Sequence, residues 1–172
     1  MKKRQEASGV SLAIHQTLHA IQNGLTLYEK PKQKEFTTKV ANSLEEREAV
    51  FNLGYKTYLE KGYINHNSKE WLIENYDTNS DTVILIVQDK HKNIAGSVTL
   101  VFDGVAKLPA EKIYSEELKI LRESNQKMAE LSRLIISREY RNSKEILICF
   151  FIQVHQILSL LLQIYFLYII FK

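Results

Sequence analysis

The sequence predicts an α/β (α+β) domain built on a mixed sheet. Three observations lead there. A β-branched apolar run, TVILIVQD (82–89), is followed across KHKN by a second one, IAGSVTLVFD (94–103), which makes an antiparallel hairpin. A capping box, SLEE (43–46), opens a helix ahead of them: Ser43 can accept from the third helical amide and Glu46 can reach back. Helical and strand-like segments then keep alternating to about residue 145.

In chain order, residues 1–24 pattern as an amphipathic helix, with Val10, Ile14, Leu18 and Ile21 at helical spacing. YEKPKQKE is a charged, Pro-containing linker, so 1–35 read as an N-terminal extension and the domain as 36–172. FTTKVA (36–41) is a short strand. The capped helix carries Leu44, Val50, Phe51, Tyr55, Tyr58 and Leu59 and ends at Gly62, a good left-handed C-terminal residue. SKEWLIENY (68–76) reads as a short helix after a Ser cap. The hairpin follows, closed by Asp103-Gly104. SEELKILRESN (115–125) is helical, MAELSRLIIS (128–137) is a strand, and REYRNSKE is a polar loop leading into an apolar end. No internal repeat is present.

Composition bounds the function. With 172 residues the chain can bury a real core. A formal net charge of +3 is too small to argue for nucleic acid. The single Cys149 excludes an internal disulfide and suits a reducing cytosol. Met-Lys-Lys-Arg resembles the start of a signal peptide, but VSLAIHQTLHAI is broken by polar residues and no small-residue cleavage site follows, so a cytoplasmic protein is expected. From Ile146 to Phe171 there is no Asp, Glu, Lys or Arg. That length suffices for a membrane span of roughly 20 residues, which keeps membrane association through 146–171 open.

AELSRLIISREYRN (129–142) is the most informative stretch. Glu130 and Arg133 stand three apart inside a strand, where they should point to opposite faces. Two readings are open. Either one of them faces solvent while the other pairs with a neighbour, or a bulge between them puts both on one face of a cleft. The loop after them sets Arg138, Arg141 and Lys144 around a helix N-terminus, with Asn142 or Ser143 as N-cap. Free amides, helix dipole and basic side chains together can hold an anion; a solvated basic loop is the plainer alternative. No Gly-rich phosphate loop occurs anywhere.

Four stretches together carry a family resemblance over about 100 residues: EEREAVFNLGYKTYLEKGYI (45–64), ENYDT (74–78), VQDKHKNIAGSVTL (87–100) and ELSRLIISREYRN (130–142). They resemble, in order, an "LRYxVY/F" helix, a paired-acid segment, a hairpin with "GSxRL", and an "ExSRxxVxxxxR" strand with its loop. These belong to the N-acyl amino acid synthases and the related acyl-homoserine-lactone synthases, acyltransferases of the GNAT superfamily. The resemblance implies a GNAT-like, mostly antiparallel sheet flanked by helices. It also implies transfer of a fatty acyl group from a phosphopantetheine thioester, on acyl carrier protein or coenzyme A, to an amino acid or similar small amine, with no tightly bound cofactor.

Glu74, Asp77, Glu130 and Arg133 are then the catalytic candidates: carboxylates to hold the ammonium and take its proton, and Arg133 to order Glu130 or the strand. Amides freed near Leu134 and Ile136 would face the oxyanion. Arg138, Arg141, Asn142, Ser143 and Lys144 would hold the donor's phosphate, and Tyr55 and Tyr58 would line an acyl tunnel. The chain departs from the pattern at three points: Gly54 and Thr99 stand where the family has arginines, and Glu74 replaces the Asp of the lactone synthases. Arg141 and Ser143 occupy loop positions where glycines are usual. In the GNAT order, Lys144 to about Leu162 would be the helix after the phosphate loop and IYFLYIIF (164–171) a buried strand. The family pattern continues further, so the domain reads as incomplete at its C-terminus. Two other readings stand beside this one: a membrane-attached binding module, and an inactive truncated acyltransferase whose apolar end is an aberrant tail.

Two remaining features read as structural. His15 and His19 have metal-ligand spacing but lack a third ligand, so no metal site is expected. Cys149 sits in an apolar run and reads as packing.

Overall fold

The computed structural model of the chain describes residues 36–80, 82–104, 107–161 and 166–168. The helix and linker expected over 1–35, with His15 and His19, lie outside the described residues. Five strands form one sheet in the order β1 (Phe36–Val40), β2 (Thr82–Asp89), β3 (Ile94–Phe102), β4 (Met128–Ile136) and β5 (Phe166–Tyr168). The first four pair antiparallel and β5 joins β4 in parallel. The mixed, mostly antiparallel sheet expected from the family resemblance is the one observed.

Helices cover both faces. α1 (Leu44–Glu60) and α2 (Glu111–Glu123) lie on one face, α3 (Lys144–Leu161) on the other. This is why β2 and β3 are buried almost throughout and read as continuous apolar runs rather than alternating ones. Ile146, Phe150, Val154, Ile157 and Leu158 of α3 pack on Val83, Leu85, Val98, Leu100 and Phe102. The opposite face holds Ile84 and Ile86 under Val50 and Phe51 of α1, and Val101 and Met128 under Leu118 of α2.

The capping box of α1 forms: the Glu46 amide donates to Ser43 Oγ at 3.2 Å and the Ser43 amide to Glu46 Oε2 at 3.4 Å. Gly62 ends the helix at φ +70°, the left-handed conformation that a Cβ disfavours. The helix expected at 68–76 is not formed. Asn67 grips Trp71 through both its amide and carbonyl (3.3 and 3.1 Å), the Leu72 amide donates to Phe51 O (3.0 Å), and Glu70 takes φ +52°. These bonds lay the segment across α1, and a short 3₁₀ turn, Asn75–Thr78, follows. α2 begins earlier than its sequence pattern, at Glu111, and kinks at Tyr114.

The described residues of the apolar end form α3, whose inner face packs into the core, and the strand β5. No helix among the described residues is long and apolar enough to cross a membrane.

Candidate active site

β4 carries a bulge. Ser132 pairs with Thr99 and Ile135 with Ser97, so Arg133 and Leu134 together stand against Val98. Arg133 takes φ +46°. In a straight strand its side chain would leave the face that holds Glu130; the extra residue turns it back toward α1. The second of the two readings open in the sequence is therefore the conformation found.

Arg133 docks the 3₁₀ turn onto the bulge. Its guanidinium forms an ion pair with the Asp77 carboxylate, donates to Leu72 O at 3.1 Å, and lies 5.2 Å from the Tyr76 ring centre. The Glu74 amide donates to the other Asp77 oxygen at 2.6 Å, and Arg47 donates to the Asp77 carbonyl at 2.6 Å. The hydroxyls of Tyr76 and Ser132 are 3.2 Å apart. Burial pushes the Asp77 carboxyl above its usual range, against the pull of Arg133 and the Glu74 amide. Burial raises Tyr76 and Tyr58 as well.

Glu130 is buried, and its Oε2 accepts the Ala110 amide at 2.8 Å. That bond fixes the carboxylate against the start of α2.

These groups meet at a cavity of about 380 Å³. Glu74, Tyr76, Lys112, Glu130, Ser132 and Arg133 contribute to its polar part, and Phe150 and Val154 of α3 to the apolar wall. Its mouth is strongly apolar: Ile113, Tyr114, Leu134 and Phe151 all line it while remaining 60%, 41%, 41% and 50% exposed. A polar floor beneath an apolar mouth suits a ligand with a reactive head and a hydrocarbon chain.

The candidates divide by position. Glu74, Glu130, Arg133, Tyr58 and Leu134 line the cavity. Asp77 does not; it lies fully buried behind Arg133. Tyr55 is placed away from the cavity, buried in α1 with its hydroxyl 2.9 Å from His66 Nδ1. Ile136 faces the α3 side and packs into the core there. Arg138, Asn142 and Lys144 are exposed and Ser143 half-buried around the first residue of α3, outside the cavity lining. Arg141 is held by Glu60 of α1 at 2.6 and 3.1 Å, an ion pair that sequence spacing could not anticipate.

Sequence reasoning missed Tyr76, Ser132 and the Pro109–Tyr114 edge of the cavity. Tyr76 sits between the two acids of ENYDT and Ser132 between Glu130 and Arg133, so both were adjacent to residues already singled out. Nothing in KLPAEKIY announced that a backbone amide there would hold Glu130. Among the described residues no group of three or more His, Cys, Asp or Glu could hold a metal ion.

Comparison with known proteins agrees with this architecture. No curated protein sequence matches the chain significantly. The structure of the N-acyl amino acid synthase FeeM from uncultured soil microbes is similar, with a TM-score of 0.64 at 20% identity, over 78% of this chain and 70% of that one. A tetramutant of the BH1408 protein from Bacillus halodurans gives a TM-score of 0.51 at 12% identity, over 79% and 83%. The CoA-dependent acyl-homoserine lactone synthase BjaI gives 0.49 at 17% identity, over 73% of this chain and 61% of that one. The sequence model of the N-acyl amino acid synthase FeeM family matches residues 49–169, which takes in most of α1, the bulge, the cavity lining, α3 and β5. The chain belongs to the N-acyl amino acid synthase FeeM family and is an N-acyltransferase.

Proposed function

We propose that this enzyme moves a fatty acyl group from a coenzyme A or acyl-carrier-protein thioester to the amine of an amino acid or similar small amine. The observation that carries the reading is the cavity, where a buried carboxylate and a strand bulge meet beneath an apolar mouth. Glu74 and Glu130 attract the acceptor's ammonium, and Glu130 takes its proton directly or through water. The free amine attacks the thioester carbonyl carbon. The C–N bond forms and the C–S bond breaks; the carboxyl returns its proton to the departing thiolate, then takes the second proton from the new amide nitrogen and passes it to water. Backbone amides at Arg133 and Leu134, displaced from the regular ladder register, face the oxyanion.

Arg133 and Asp77 are positioning residues in this mechanism, since their bonds tie the bulge to the 3₁₀ turn that carries Glu74. The acyl chain leaves through the mouth formed by Ile113, Tyr114, Leu134 and Phe151. The donor's phosphates meet Arg138, Asn142, Ser143 and Lys144 at the α3 N-terminus, with Arg141 supporting the loop through Glu60.

The test is incubation with acyl-coenzyme A or acyl-carrier protein and a mixture of amino acids, read by mass spectrometry. An N-acyl amino acid is expected, formed roughly 10²–10⁴-fold more slowly by Glu130→Gln. A well-folded wild-type protein that yields no such product with either donor would overturn the reading.

A further inference from the structure

Four charged side chains line the cavity: Glu74, Lys112, Glu130 and Arg133. Their roles differ. Arg133 is spent on the protein itself, with only 6% of its side chain exposed and its guanidinium bound to Asp77 and Leu72 O. The two glutamates are negative and suit a cation. Lys112 is exposed, and it has no ion-pair partner among the described residues. It is the cavity's cation with its charge still to be used.

Its location bears on what it can bind. Lys112 follows Ala110 by two residues, about 3 Å of helix rise, and the Ala110 amide holds Glu130 Oε2 at 2.8 Å. A lysine is therefore anchored within one helical turn of the carboxylate that attracts the ammonium. The backbone there offers little to an anion: the Ile113 and Tyr114 amides both donate to Ala110 O at 2.9 Å. The neighbouring Glu111 turns away to Arg122 (2.6 Å) and Lys107 (3.2 Å), so it does not neutralise Lys112.

An α-amino acid carries its ammonium and carboxylate on one carbon, so a receptor for it needs neighbouring groups of opposite sign. Glu130 and Lys112 supply that arrangement. From this juxtaposition we infer that Lys112 is a specificity-determining residue that binds the acceptor's α-carboxylate and so selects amino acids over simple amines. The inference rests on the N-acyl transfer reading above and adds the acceptor's recognition group to it.

The test compares each of several L-amino acids with its own decarboxylated amine, phenylalanine with phenethylamine for example, at fixed acyl-coenzyme A. In Lys112→Ala, kcat/KM for the amino acids should fall at least tenfold further than for the paired amines, chiefly through KM. Lys112→Arg should recover most of the preference, and Lys112→Glu should reverse it toward the amines. Thermal melts check that each variant is folded. Equal losses for both members of each pair would overturn the inference, because a merely structural lysine acts that way. A raised KM for acyl-carrier protein with an unmoved acceptor ratio would also overturn it and assign Lys112 to carrier docking. If wild type acylates neither acceptor with either donor, the transfer reading fails and this inference falls with it.

Discussion

At the scale of single residues, Arg133 holds the most together. One side chain neutralises Asp77, caps the Leu72 carbonyl and covers Tyr76. Removing it leaves a carboxylate with no side-chain exposure and no ion-pair partner among the described residues. Arg133→Ala should therefore lower stability by about 3–5 kcal/mol. Adding Asp77→Asn should recover part of that loss, and a double-mutant cycle from urea unfolding reads the coupling.

A second residue-scale device lies at the β2–β3 turn. Asp89 is half-buried, which by itself raises its pKa. Hydrogen bonds from the Asn93 side chain, the Tyr140 hydroxyl (2.8 Å) and the Asn93 and His91 amides outweigh this and hold it at about 2. A carboxylate depressed by folding adds stability above its unfolded value, 3.8, and loses that stability as pH falls toward about 2. Tyr140→Phe should raise the Asp89 pKa, visible by carboxyl NMR titration, and shift acid unfolding to higher pH.

At the scale of elements, the site depends on how closely β3 and β4 approach. Gly96 makes that approach feasible. A Cβ there would stand 2.8 Å from the Ile135 carbonyl oxygen and 3.2 Å from the Phe150 ring. A backbone oxygen cannot swing aside as a flexible side chain can. Gly96→Ala should cost about 1–3 kcal/mol and reduce kcat as well, because the strands would part next to the bulge. Unchanged activity in a destabilised protein would show that the bulge is buffered from its ladder. α2 is fastened at the other end of the cavity by Arg122, which bonds Asp103 twice at 2.8 Å and Glu111 at 2.6 and 3.1 Å. This fork bridges the end of β3 to α2 and so supports the edge that carries Ala110 and Lys112.

At the scale of the whole molecule, what the sequence reveals follows from how local each signal is. The hairpin, the capped α1 and the α3–β5 end are written in contiguous runs, and their periodicity or turn residues mark them without tertiary help. The bulge was readable only as one of two options, because Glu130 and Arg133 at a spacing of three are odd in any straight strand. The 68–76 segment misled because its apolar spacing is helical. The bonds that override it come from Asn67 locally and from Phe51 in α1, a partner distant in sequence. The Ala110–Glu130 bond and the Arg141–Glu60 pair join residues 20 and 81 positions apart, a separation at which one sequence carries no sign of contact.

The open apolar mouth has a thermodynamic consequence for donor binding. Ile113, Tyr114, Leu134 and Phe151 meet solvent where the hydrocarbon of a donor would lie. Covering them releases hydration water, and the heat capacity of the system falls on binding. Titration calorimetry of acyl-coenzyme A at several temperatures, without any acceptor, reads that sign before a single turnover. The fall should steepen with each two-carbon extension of the chain until the cavity is filled. A series that stays flat would mean that the chain lies elsewhere on the molecule.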